Sequence, residues 1–148
     1  MIEKTIADWH ACLRGNLEGG IDALLHDDCV FYSPVVFTPQ RGKEITKMYL
    51  AAAGATLGDG EGEGKPPVSS DATDGEKKGF RYTKEVLSGN HAVLEFETEM
   101  GGKYVNGVDI ITCNDEGKIV EFKVMIRPLQ AINMLHQQMA QMLEKMKS

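Results

Sequence analysis

Three short joints between Phe80 and Ile126 restrict this chain more than any other feature of it. Ser88-Gly89-Asn90, Gly101-Gly102 and Asn114-Asp115-Glu116-Gly117 divide a stretch rich in β-branched and aromatic residues into four segments: Phe80 to Ser88, His91 to Met100, Lys103 to Asn114 and Lys118 to Ile126. Joints this short, built from turn-forming residues, leave no room for a crossover, so consecutive strands must run antiparallel. The second half of the chain is therefore expected to be a four-stranded meander.

The residues before it read mostly as helices. Ile2, Ile6, Trp9 and Leu13 recur at helical spacing until Gly15-Asn16 breaks the pattern. Leu17, Ile21, Leu24 and Leu25 suggest a second short helix, which His26, Asp27 and Asp28 end before a strand at Cys29 to Ser33. Pro34 and Pro39 then read as the exit of that strand, with Val35 to Gln40 as a lip. Gly42 to Gly54 places Ile45, Met48, Tyr49 and Ala52 on one helical face. Leu57 to Gly79 is dense in Gly, Pro, Ser and acid, cannot bury enough surface to offset its ordering entropy, and is expected to be a long mobile loop. After Arg127-Pro128 the positions Ile132, Leu135, Met139, Met142, Leu143 and Met146 outline a terminal helix. Its methionines could offer a partner surface, but a cover for the cavity or a dimer contact is the favoured reading. Five strands are expected in one α+β domain spanning residues 1–148. A strongly curved sheet wrapped around the early helices would leave a cavity.

Composition narrows the function classes. The 148 residues carry a formal charge of -6, which argues against a nucleic-acid partner, because phosphate binding needs a basic face. No apolar run approaches the roughly 18 residues of a membrane span, and the first residues lack the apolar run of a signal peptide. Cys12, Cys29 and Cys113, odd in number and far apart, suit reduced thiols in a cytoplasmic protein. His10, His26, His91 and His136 show no metal-ligand spacing, there is no CxxC, and the glycines at 58, 60, 62 and 64 alternate with acids that would repel phosphate. No metal or cofactor is expected.

Alternation then sorts the strand side chains. Ala92, Leu94, Phe96, Thr98 and Met100 share the face expected to be buried, and Val105, Gly107, Asp109, Ile111 and Cys113 share one face of the next strand. Asp109 is thus a carboxylate in an apolar row. If it points inward, desolvation raises its pKa and it can exchange protons near neutrality. Equally, it can point to solvent or pair with a basic side chain. Trp9, Tyr49 and Phe96 could stack on a ring-shaped ligand, although aromatics at such spacing are more often simply core.

The order of elements, together with "GGIDALLHDDCVFYSP" and "VDIITCNDEGKIVEFKVMIRP", resembles the NTF2-like superfamily, in particular its branch of SnoaL-like polyketide cyclases and ketosteroid isomerases. The resemblance implies an α+β cone, commonly a homodimer, with a ligand pocket between sheet and helices. Asp109 falls where the family has its pocket acid, whereas Ser33 stands at the position of the isomerase base and Trp9 at that of its oxyanion tyrosine. A serine hydroxyl is no base near pH 7 unless activated, and an indole donates one hydrogen bond and accepts none. The epoxide-hydrolase branch has an arginine where this chain has Gly107. The cyclase branch, which leans on one pocket acid and the substrate's own acidic C–H, is the least contradicted. The expected site is therefore Asp109 as the proton-transfer residue, with a ligand lining of Trp9, Phe31, Ser33, Tyr49, Phe96 and Met100. A non-catalytic ligand carrier or dimerisation module is the alternative.

Overall fold

The computed structural model describes residues 2–57 and 79–147. The elements are α1 (Ile2–Leu13), α2 (Gly20–Leu24), β1 (Leu25–Tyr32), β2 (Gln40–Arg41), α3 (Lys43–Leu57), β3 (Arg81–Ser88), β4 (His91–Met100), β5 (Lys103–Cys113), β6 (Ile119–Arg127) and α4 (Leu129–Lys147). They form the expected α+β arrangement, an open six-stranded mixed sheet in the order β2-β1-β6-β5-β4-β3. Apart from its ends, the loop expected from Leu57 to Gly79 lies outside the described residues.

β3 to β6 are the meander that the turns require. At the last turn the Asn114 side-chain oxygen accepts from the amides of Glu116 and Lys118, while Gly117 takes a φ of 83° that a side chain would resist. The first strand starts earlier than expected and takes a partner that local sequence signals leave open. It begins at Leu25, so His26, Asp27 and Asp28 belong to the strand; they sit where its register against β6 slips between Leu25 and Val30. It also runs parallel to β6, a pairing no hairpin can make. The expected count of five strands becomes six through β2, two residues that fold back after Pro34 and Pro39 to pair with Val30 and Phe31. Two residues are too few to show alternation.

One face of the sheet receives the helices. α1 packs across β3, β4 and β5, α3 lies on β1, and α4 contacts α3, β5 and β6. Ile2 and Ile6 of α1, Phe31 of β1, Leu94 and Phe96 of β4, Ile111 of β5, Phe122 of β6 and Leu135 of α4 are all buried. Each such side chain removed from water contributes about 1.5–3 kcal/mol. The α4 face that does this is Ala131, Leu135 and Met139, with Ile132 and Met142 partly buried beside it.

Candidate active site

The open question about Asp109 resolves inward. All five residues of its face on β5 are buried, and Asp109 itself is 6% exposed. Its cross-strand neighbours are Leu94 and Val124, so neither adjacent strand supplies a charge opposite it. Burial pushes its carboxyl up from 3.8 to about 7, opposed by a hydrogen bond from Tyr82.

Tyr82 is the residue that sequence reasoning missed. Its hydroxyl donates to Asp109 Oδ2 at 2.5 Å and accepts from the Trp9 indole Nε1–H at 3.0 Å. Burial drives the phenol well above its ordinary value, the charge of Asp109 adds to this, and the Trp9 hydrogen bond works against it. β3 lies two strands from β5, roughly 9–10 Å across the sheet, a span that a phenol on the diagonal covers. Counted from the Ser88-Gly89-Asn90 turn, an unbroken register would put Thr83 opposite Phe96 and turn Tyr82 outward. An irregularity between Tyr82 and Lys84 pairs Tyr82 with Phe96 instead. Local alternation carries no trace of that slip.

Around this pair the aromatic rings form a continuous chain. Tyr49 stacks on Phe31 at 5.4 Å. Phe31 leans on Phe122 at 6.1 Å, and Phe122 meets Trp9 edge-on at 5.1 Å. Beyond the Trp9–Tyr82 hydrogen bond, Tyr82 contacts Phe80 and Phe96, which stack on each other at 4.8 Å. Of the expected lining, Trp9, Phe31, Tyr49 and Phe96 are thus brought together, joined by Phe80, Tyr82 and Phe122. Phe80 and Phe122 both fell inside expected strand segments, Phe80 to Ser88 and Lys118 to Ile126, without standing out there as site residues.

Ser33 and Met100 stand apart from this chain. The Ser33 hydroxyl accepts from the backbone amides of Val35 at 3.0 Å and Val36 at 3.3 Å, capping the turn through Pro34. Met100 is buried at the far end of β4, beside Gly101, where an added Cβ would meet Met134 of α4. Gly107 shows why no arginine stands there. A Cβ at that position would lie 2.6 Å from the Met125 carbonyl oxygen and 2.6 Å from the Phe96 ring.

His10 and Glu85 pair beside this site, the His10 ring lying 5.6 Å from that of Tyr82. The outer face of the sheet is polar at one end, where Arg81 pairs with Glu97 and Asn106 bridges Glu95 and Arg127. Among the described residues no cluster of His, Cys, Asp or Glu has the arrangement of a metal site. Nor is any described helix long and apolar enough to cross a membrane.

No protein-family model matches the sequence, and no curated protein matches it. Solved structures do. A steroid delta-isomerase from Pseudomonas aeruginosa is 29% identical, over 97% of this chain and 92% of its own, with a TM-score of 0.79. An NTF2-like protein of unknown function from Mesorhizobium loti is 15% identical, over 86% and 91%, with a TM-score of 0.63. An epoxide hydrolase/cyclase-like enzyme of pyran ring formation in the polyether salinomycin is 16% identical, over 86% and 92%, with a TM-score of 0.56.

Proposed function

From the NTF2-like fold that this chain adopts, we propose that it binds a small apolar or cyclic carbonyl compound between sheet and helices and moves a proton on it through Asp109. The observation that carries this reading is a carboxyl in an aromatic and aliphatic interior, raised to about 7 and so poised between its two protonation states at neutral pH. Ionised Asp109 takes a proton from the carbon next to a carbonyl, and the C–H electron pair passes into the enolate. The neutral carboxyl returns that proton to another carbon in an isomerisation. In a cyclisation it returns it to the alkoxide formed when the enolate carbon attacks a second carbonyl. Trp9, Phe31, Tyr49 and Phe96 would line the ligand, whereas Ser33, its hydroxyl taken up by its own turn, and Met100, at the far end of β4, would not. Likeness to a steroid delta-isomerase and to an epoxide hydrolase/cyclase-like enzyme supports this class of reaction.

One observation favours the alternative, a ligand carrier without chemistry. Ser33, the side chain that the resemblance puts at the isomerase base position, spends its hydroxyl on its own turn. For assembly we infer a homodimer through the outer face of the sheet. There Val86, Val93 and Ile110 form one cross-strand row and Val108 and Met125 part of the next, with Val86 54% and Met125 52% exposed. The three unpaired thiols suit a cytoplasmic setting.

The test is a thermal-shift screen of cyclic ketones and aromatic polyketides, followed by proton NMR of binders in deuterated water. Exchange next to the carbonyl should be accelerated by the protein and fall at least about 100-fold in Asp109→Asn. Binding with equal exchange in both proteins supports the carrier. No binding by any compound counts against both readings.

A further inference from the structure

We propose that Trp9 and Tyr82 form a one-way hydrogen-bond relay that positions Asp109 and assigns its exchangeable proton to Oδ1. The direction follows from the chemistry of the first member. An indole N–H can only donate, so the phenol oxygen of Tyr82, 3.0 Å away, has to accept. The single phenol hydrogen then goes to Asp109 Oδ2 at 2.5 Å, because a phenol that accepted from Oδ2–H as well would leave its own hydrogen with no acceptor among the described contacts of Tyr82. Oδ2 therefore accepts whether Asp109 is charged or neutral, and a neutral Asp109 carries its proton on Oδ1. A phenol or imidazole in place of the indole could reverse the chain and let Tyr82 accept from Oδ2–H. The indole removes that choice.

Each member is held from a different element: Trp9 by α1 packed edge-on against Phe122, Tyr82 by the register slip in β3, and Asp109 by β5 between Leu94 and Val124. Bonds in series polarise one another, so the indole strengthens the phenol as a donor. Next to the Tyr82 ring, His10 of α1 and Glu85 of β3 pair with each other, and the thiol of Cys113 shares Asp109's face of β5. Trp9 and Tyr82 are positioning residues, and their bearing on catalysis rests on the proton-transfer reading of Asp109; the relay itself does not.

Trp9 is the chain's single tryptophan, so its indole gives one resonance. The experiment follows the Trp9 indole nitrogen and proton, the Asp109 carboxyl carbon and the His10 ring by NMR as pH is varied in the intact protein. The indole is expected to shift with the same midpoint as the Asp109 carboxyl. In Tyr82→Phe it becomes insensitive to that titration, and the Asp109 midpoint rises by about one pH unit, the loss of one hydrogen bond to a charged acceptor. An indole that stays still while Asp109 titrates, or that follows His10, overturns the relay without recourse to any variant. An unmoved Asp109 midpoint in Tyr82→Phe overturns it too. If the relay signature is present but no compound exchanges protons, the functional reading fails and the relay stands.

Discussion

Replacing Asp109 with Asn should stabilise the protein at pH 8 and leave it nearly unchanged at pH 4. The native carboxyl holds its proton up to about 7, whereas in the unfolded chain it lets go near the ordinary 3.8. Between those values the native state binds more protons than the unfolded state, so stability falls as pH rises through the window and reaches its full loss above pH 7. A gap of about three pH units at 1.36 kcal/mol each gives about 4 kcal/mol. Asn has nearly the same shape, still accepts from Tyr82 and never ionises, so it escapes this loss. Urea denaturation of both proteins from pH 4 to 8.5 measures it. Their difference should grow by about 1.4 kcal/mol per pH unit up to neutrality and then level off. The four histidines are common to both chains and cancel in the difference, and Tyr82, pushed far above 10, does not titrate in this range. Stability curves that run parallel across the whole range would refute the argument that Asp109 is buried with its proton affinity raised.

Three further outcomes are expected. Gly107→Ala should lose about 2–3 kcal/mol in chemical denaturation, because the new methyl meets a backbone carbonyl as well as the Phe96 ring and only the ring can move aside; an unchanged midpoint would show that β5 and β6 can part at no expense. Ser33→Ala should lose about 1 kcal/mol through two freed turn amides while the Asp109 titration stays where it was. A displaced Asp109 midpoint in that variant would mean that Ser33 takes part in the site. Val108→Glu puts a charge at the centre of the outer apolar rows, and light scattering should then read a monomer where the parent chain reads a dimer. A parent chain that is already monomeric disposes of the interface.

Turn chemistry and strict alternation are local, and where both operate the sequence reading was accurate. β4 was expected and found at His91–Met100, with Ala92, Leu94, Phe96, Thr98 and Met100 all buried. The row holding Asp109 was legible for the same reason, since side chains of one strand on one pleat share a fate. Its direction was not, because both faces of that segment carry apolar residues and only the helices laid on the sheet decide which one is dry.

By itself the amino-acid sequence determined a helix-first α+β domain with a closing meander and a carboxylate in an apolar row. Tertiary structure alone decided the rest. It set β1 parallel against β6, a pairing between segments far apart in the chain that leaves no periodic mark. It also slipped β3 by one residue at Thr83, and this turned Tyr82 inward to meet Asp109 and the indole of Trp9. A register slip is settled by what packs on either side of a strand, not by the strand's own residues, so the partner of the buried acid could be found only in three dimensions.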